Sequence, residues 1–368
     1  MNFELDDGQR MLQHSLERWA RDAYDAPSRL RGTASPEGWQ PAVWQELAGL
    51  GVFGLGIDEA QGGLGGGAAD IMLATQALGG VLVVEPWLAT LLCARALSVL
   101  GTPAQQAQWL PALAGGERLM AWAHMDHGAR TPAAVVQTRA QRVAEGWRLD
   151  GHKVLVRHGG AADTVLVSAR TASDRVALFI VPTDSAGLTR RSYRTHDDLP
   201  AADLRLQGVV VAEDALLGGD EDASATITAV ERLGIVVSVA EAVGLMRAML
   251  ALTLEHLRTR QQFGAPLASF QVLQHRAVDM AVAVEQTESM SLLAALSLDE
   301  AADDLAQSLS QAKVQCNHGL RLVAQQSVQL HGAIGITEES RIGNLFRRAT
   351  VLESEFGSSA YHLACLAG

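Results

Sequence analysis

Two long helical stretches enclose one short, strand-rich block, and this order constrains the fold more than any other feature of the chain. Residues 6–24 place Met11, Leu12, Leu16, Trp19, Ala20 and Ala23 on one helical stripe, with Asp6 or Asp7 as the predicted cap. Helical patterns recur through 40–116, interrupted by Gly62-Gly63-Leu64-Gly65-Gly66-Gly67. Between 119 and 217 the texture changes to Ala134–Val136, Trp147–Leu149, Thr164–Val167 and Val176–Val181, separated by Glu145-Gly146, Asp150-Gly151, Gly159-Gly160 and Pro182. Short runs at that spacing predict a small antiparallel barrel or sandwich rather than βαβ units. From 222 onward the segments 226–258, 267–297, 300–330 and 339–365 read as helices of an antiparallel bundle. The predicted fold class is α+β, with an N-terminal helical domain over 1–118, a middle antiparallel β domain over 119–220 and a C-terminal four-helix bundle over 221–368.

Composition removes several function classes. With 29 Lys+Arg against 41 Asp+Glu the net charge is −12, which disfavours a nucleic-acid surface. Hydrophobic residues make up 48% and charged ones 19%, the opposite of a disordered chain. The apolar stretches 81–99 and 228–251 are interrupted by Glu85, Pro86 and Arg95, and by Glu231, Arg232 and Glu241, so no membrane span is expected. Cys93, Cys316 and Cys365 are isolated, and the acidic start Met1–Asp7 lacks the order of a secretory signal. Both point to a cytoplasmic protein with reduced thiols.

Few segments carry chemistry. The Gly62–Gly67 run lacks GxGxxG spacing after a strand and a terminal Lys-Ser/Thr, so it reads as a mobile loop rather than a phosphate cradle. Arg258-Thr259-Arg260-Gln261-Gln262-Phe263-Gly264 closes one long helix. It reads equally as a basic helix stop or as a phosphate site, with donors on Arg260 and Gln262 and a flat face on Phe263. Gln329-Leu330-His331-Gly332-Ala333-Ile334-Gly335, followed by Thr337-Glu338-Glu339, is a small-residue break where backbone can approach a ligand or another chain. His331 reads as an ordinary interior or loop histidine. No metal-ligand spacing and no GxSxG elbow occurs.

Taken together, the two segments resemble the acyl-CoA dehydrogenase family, over essentially the whole chain. The family's Arg-x-x-Phe-Gly followed by Phe-Gln-x-x-Gln is matched by Arg260, Phe263, Gly264, Phe270, Gln271 and Gln274. Its Gln-x-x-Gly-Gly-x-Gly is matched by Gln329, Gly332 and Gly335, with Ala333 at the second glycine. The likeness is closest to the small subunits of pimeloyl-CoA dehydrogenase-type heterotetramers. It implies FAD as hydride acceptor in α,β-dehydrogenation of a CoA thioester. It also implies that Arg260, Gln262, Phe263, Gln329, Gly332 and Gly335 hold the adenosine and pyrophosphate of that cofactor across a subunit interface. The implied partners are an acyl-CoA substrate, a larger homologous subunit and an electron-transfer flavoprotein.

The resemblance fails at the base. The family's Tyr-Glu-Gly-Thr segment places Phe356 at the carboxylate position, before Gly357-Ser358. Members that carry the base on the preceding long helix would have it at Gly234, with an adjacent Arg at Ile235. The Thr-Glu-Pro-x-x-Gly-Ser-Asp stretch falls on Met125–Pro132, and the Trp-Ile-Thr pattern falls on Leu155-Val156-Arg157, after Gly151-His152-Lys153. The hydroxyl and indole groups that cover a flavin ring are thus absent. The catalytic residue stays unassigned, and the reading is a base-deficient small subunit of an α2β2 complex. A self-sufficient FAD homotetramer would need a relocated base at Glu355 or Glu353, with Glu231 and Glu241 as weaker choices. A scaffold that binds no nucleotide is the remaining alternative.

Overall fold

A computed structural model describes residues 5–337 and 340–368. Residues 1–4 of the acidic start, and Glu338-Glu339 after the second motif, lie outside them. The chain separates into two compact units. One comprises Met1–Leu30, Ala68–Val83 and Ile235–Gly368; the other comprises Arg31–Gly67 and Val84–Gly234.

Helices α1 (Asp7–Asp22), α2 (Ala26–Ala34), α3 (Pro41–Gly49), α4 (Ala68–Gly80), α5 (Trp87–Leu100) and α6 (Pro103–Ala114) form the first third of the chain. Of the two expected caps, Asp6 is the one that acts on α1: its carboxylate accepts from Gln9 N–H at 2.8 Å, and the Gln9 side chain accepts from Asp6 N–H at 3.2 Å. Thr102 and Gln105 repeat this box at α6, with Pro103 in the first turn. Seven strands follow: β1 (Met120–Ala123), β2 (Arg139–Val143), β3 (Gly146–Arg157), β4 (Thr164–Arg170), β5 (Val176–Pro182), β6 (Leu188–Arg194) and β7 (Pro200–Val211). The rest comprises α7 (Ser224–Thr259), the short hairpin β8 (Gln261–Gln262) and β9 (Ala265–Pro266), α8 (Gln271–Asp299), α9 (Leu305–His331), α10 (Arg341–Leu352) and α11 (Ser359–Ala367).

In the unit built mainly from the C-terminal third, α7 is long and apolar enough to cross a bilayer, yet much of its apolar stretch is buried in protein. Val236, Val239, Leu245, Met246 and Met249 pack with Met280 of α8, and with Leu309, Cys316, Leu320 and Val323 of α9. Gly244 lets α7 lie directly on α4, because a Cβ there would meet the Gln76 carbonyl at 2.2 Å.

The second unit holds the sheet, in the order β1-β4-β2-β3-β7-β6 with β5 also on β4. It is not purely antiparallel as expected: β1 runs parallel to β4, with Met120 opposite Thr164 and Ala123 opposite Val167. Parallel partners need a long intervening connection, and the β2–β3 hairpin lies within this one. Ala134–Val136 form no strand. The N–H groups of Gln137 and Thr138 that follow donate to the Asp126 carboxylate rather than to a neighbouring strand. Strand β6 escaped the sequence reading because its polar Thr-Arg-Arg-Ser run is largely exposed, the chemistry of a protected sheet edge. The predicted helix 339–365 is two helices, broken where Phe356 (φ 53°) and Gly357 (φ 108°) turn left-handed.

Candidate functional site

The two motif segments come together at one end of the helical unit. His256 of α7 stacks on His331 of α9 with ring centroids 4.4 Å apart, bringing the end of the first motif helix against the start of the second motif. His331 Nδ1 lies 2.8 Å from the Ser327 carbonyl, so one nitrogen is satisfied within its own helix. Gly332 ends α9 at φ 64°, with open space where a Cβ would stand, and Gly335 is buried beneath the turn. Arg260, Gln262 and Gln329 are exposed, and the Arg260 guanidinium makes no ion pair with any described residue. Phe263 is 90% exposed at φ 53° beside Gly264 (φ 80°), edge-on to Phe270. Uncommitted donors, a flat ring and an unobstructed glycine turn match the needs of a dinucleotide's adenosine and pyrophosphate.

The ring-binding positions do not match. Leu155 is half exposed in left-handed backbone, with its N–H spent on Tyr193 Oη at 3.2 Å, and Val156 is buried. Phe356, at the place of the expected base, offers only backbone. Its carbonyl lies 2.9 Å from His362 Nε2.

The carboxylates considered as substitutes divide three to one. Glu355 and Glu241 share the guanidinium of Arg348, which is 2% exposed: Nε lies 2.5 Å from Glu241 Oε1 and Nη1 lies 3.0 Å from Glu355 Oε1. Glu353 pairs with Arg321. Each of these three is held by a cation and shaped as a structural anion. Glu231 differs. No ion pair to a Lys or Arg among the described residues holds it; His124 Nε2 lies 3.7 Å from Oε1, and burial raises its pKa to about 7.

His124, just after β1, belongs to a connected network with side chains of β4 and β3. Its Nδ1 is 2.9 Å from Ser168 Oγ. Lys153 Nζ donates to that hydroxyl at 3.0 Å and to the His124 carbonyl at 2.9 Å, and pairs with Asp126 at 3.0 Å. Asp126 also accepts from Thr138 Oγ1 at 2.5 Å. Burial pulls Lys153 down to about 8, against the opposing pull of Asp126. Burial would raise Asp126, but the Lys153 charge and the Thr138 and Gln137 bonds more than offset it, holding the acid below its usual range. Burial, then the Lys153 charge, lowers His124 to about 4. The imidazole is therefore neutral at neutral pH, and its contact with Glu231 is not a salt bridge. The sequence reading named Asp126 and Lys153 only as alignment positions and did not single out His124 or Ser168. Residues this far apart in sequence meet only through strand pairing.

A stability signature follows. The folded pKa of Glu231 lies above its unfolded value of 4.5, so the native state binds the extra proton between those values and loses stability as pH rises through about 7. His124 acts oppositely, its contribution falling away as pH drops from 6.5 towards about 4. The Glu231→Gln variant is expected to gain on the wild type progressively from pH 4.5 to 7, by up to about 3 kcal/mol. Urea denaturation at a series of pH values would show this; a pH-independent difference would place the titrating group elsewhere.

Comparison with known proteins bears on the whole chain. The chain matches the families described as acyl-CoA dehydrogenase N-terminal domain over residues 6–117, middle domain over 120–209 and C-terminal domain over 222–368. It is 28% identical to the probable acyl-CoA dehydrogenase YngJ of Bacillus subtilis, covering 98% of this chain and 97% of that one. Among solved structures, a single-residue variant of the Tcur3481-Tcur3483 steroid ACAD superposes with TM-score 0.88 at 26% identity, over 98% of this chain and 97% of that one. The ChsE4-ChsE5 complex from Mycobacterium tuberculosis shares the fold at TM-score 0.88 and 24% identity, over 100% and 98% of the two chains.

Proposed function

The chain belongs to the acyl-CoA dehydrogenase family of oxidoreductases, and from that premise we propose that it is the small FAD-binding subunit of a cytoplasmic α2β2 complex acting on CoA thioesters. The observation that carries this reading is the asymmetry of its motifs. Arg260, Gln262, Phe263, Gln329, Gly332 and Gly335 stand open for a dinucleotide, whereas the loop between α10 and α11 presents Phe356 and a Glu355 clamped by Arg348. When bound, the flavin supplies a hydride acceptor. In this chain Arg260 would neutralise pyrophosphate charge, Gly332 would admit it to backbone N–H groups, and Phe263 would cover the adenosine. A larger homologous subunit would bring the carboxylate that this loop lacks. The steroid ACAD among the solved relatives supports a bulky, ring-bearing acyl group. An electron-transfer flavoprotein is the proposed acceptor.

Flavin released by denaturing the complex isolated from its native cells is expected at about half an equivalent per family-fold chain, with a second, larger homologue seen by mass spectrometry. Arg260→Ala should lose that flavin. A full equivalent per chain with no second polypeptide would overturn the heteromeric reading. Full flavin retention by the Arg260→Ala protein would remove the proposed cofactor site.

A further inference from the structure

We propose that the cleft lined by α1, α4 and α7 is a binding site for a carboxylate carried on an apolar body, with Arg341 as its anion receptor. The cleft shares no residue with the Arg260 and Gln329 motifs, so this site is independent of the flavin reading above.

Its shape comes from two glycines. At Gly244 a Cβ would meet the Gln76 carbonyl at 2.2 Å, and at Gly80 a Cβ would stand 3.5 Å from the Gly244 carbonyl. Helices α4 and α7 therefore touch backbone to backbone, and with no side chain at either glycine the space beside the contact stays open. The cleft holds about 470 Å³, a volume within the range of small-molecule sites. Leu73, Ala77, Val81 and Ala248 give it an apolar wall. Tyr24, buried and stacked on Trp19 with ring centroids 5.5 Å apart, adds an aromatic side.

Three arginines line this cleft, and two of them are neutralised. Arg21 is exposed and pairs with Asp22 at 3.2 Å. Arg247 donates from Nη1 to Gln76 Oε1 at 3.1 Å, and its Nη2 pairs with Glu288. Arg341, at the start of α10, is partly buried and makes no ion pair with any described residue. Its Nη2 donates to the Gly80 carbonyl at 2.8 Å. A guanidinium carries five N–H donors, so most of its capacity is uncommitted among the described residues. Burial lowers the Arg341 pKa with no described carboxylate pulling the other way, whereas Arg321 is raised by its bond to Glu353. Glu17 and Asp25 also line the cleft, but both are exposed, where water and salt screen them. Glu17 accepts from Gln13 Nε2 at 3.1 Å, and Asp25 accepts from Ser28 N–H at 2.8 Å.

An uncompensated, partly desolvated cation beside an apolar wall defines the occupant. Hydrocarbon on the wall releases water, and one negative charge on Arg341 restores neutrality. A carboxylate brings a single charge and accepts two parallel N–H bonds from a guanidinium. A phosphate head would bring a second charge that Arg247, already paired, does not neutralise.

The test titrates the full-length chain with octanoate by isothermal calorimetry. Octanoate is expected to bind about 10-fold or more tightly than 1-octanol, which has the same tail and an uncharged head. Arg341→Met should weaken octanoate by about the same factor and leave 1-octanol unchanged. Ala77→Trp, which fills the apolar side and keeps the cation, should weaken both. Octyl phosphate should bind less tightly than octanoate. A crystal structure with octanoate, which needs no variant, should place its carboxylate within about 3 Å of the Arg341 guanidinium. Octanoate that fails to bind, binds no better than 1-octanol, is undiminished by Arg341→Met or sits elsewhere in the crystal overturns the site. Tighter binding of octyl phosphate overturns the ligand class.

Discussion

Replacing Arg348 with Met is expected to destabilise the chain by about 3–5 kcal/mol, the range found when one member of a buried ion pair is removed. Arg348 is buried, and its guanidinium binds two carboxylates at once, with Nε and Nη2 on Glu241 at 2.5 and 2.6 Å, and Nη1 and Nη2 on Glu355 at 3.0 and 3.1 Å. Removing it leaves two mostly enclosed carboxylates facing a hydrocarbon. Lys313, fully buried and bonded to the Leu352 carbonyl at 2.8 Å, is a further cation of that region. Equilibrium urea unfolding measures the loss. The variant that also carries Glu241→Gln and Glu355→Gln should recover most of it, because the repulsion is removed with the cation. If Arg348→Met is as stable as the wild type, Glu355 is not clamped, and its exclusion as a base falls with that result.

Asp126→Asn should be comparably damaging, and its cost should depend on pH. Lys153 is 0% exposed, and Asp126 is its counter-charge at 3.0 Å. The variant leaves an enclosed ammonium with neutral acceptors alone, the His124 carbonyl and the Ser168 hydroxyl among them, and no counter-charge. Breaking such a pair costs about 3–5 kcal/mol near neutrality. The Lys153 pKa is already lowered to about 8 by burial, and without Asp126 it falls further. A lysine whose folded pKa lies below its unfolded value of 10.5 is penalised in full at low pH and relieved as pH rises towards that value. The difference between variant and wild type should therefore shrink between pH 7 and pH 10. Unfolding at both values checks this, and a pH-independent loss would mean that the carboxylate matters through Thr138 and Gln137 instead.

Much of this architecture was legible in one dimension. Helical patterns located α1, α7, α8 and α9 to within a few residues, because each is a long run free of proline and of clustered turn residues. Asp6 announced its helix, since a capping side chain acts on the backbone three residues away. The strands were harder. Strand β6 pairs through its backbone and exposes its arginines, so its side chains carry little sign of the sheet. The parallel union of β1 with β4 depends on chain reversal between them, which no local pattern records. The break at Phe356 was hidden because a non-glycine residue stands in left-handed backbone, held by the contacts around it.

The candidate chemistry divides in the same way. Sequence alone determined the family, located the Arg260–Phe263 and Gln329–Gly335 motifs and put a phenylalanine before Gly357-Ser358, because each depends on residue type at short, fixed spacing. Tertiary structure alone decided what the remaining carboxylates are. Glu241 and Glu355 lie 114 residues apart in the chain yet meet on one guanidinium, while Glu231 meets a histidine 107 residues away. Whether a carboxylate is a clamped anion or a group that titrates near neutrality is set by its burial and its partner, and both come from how distant segments pack.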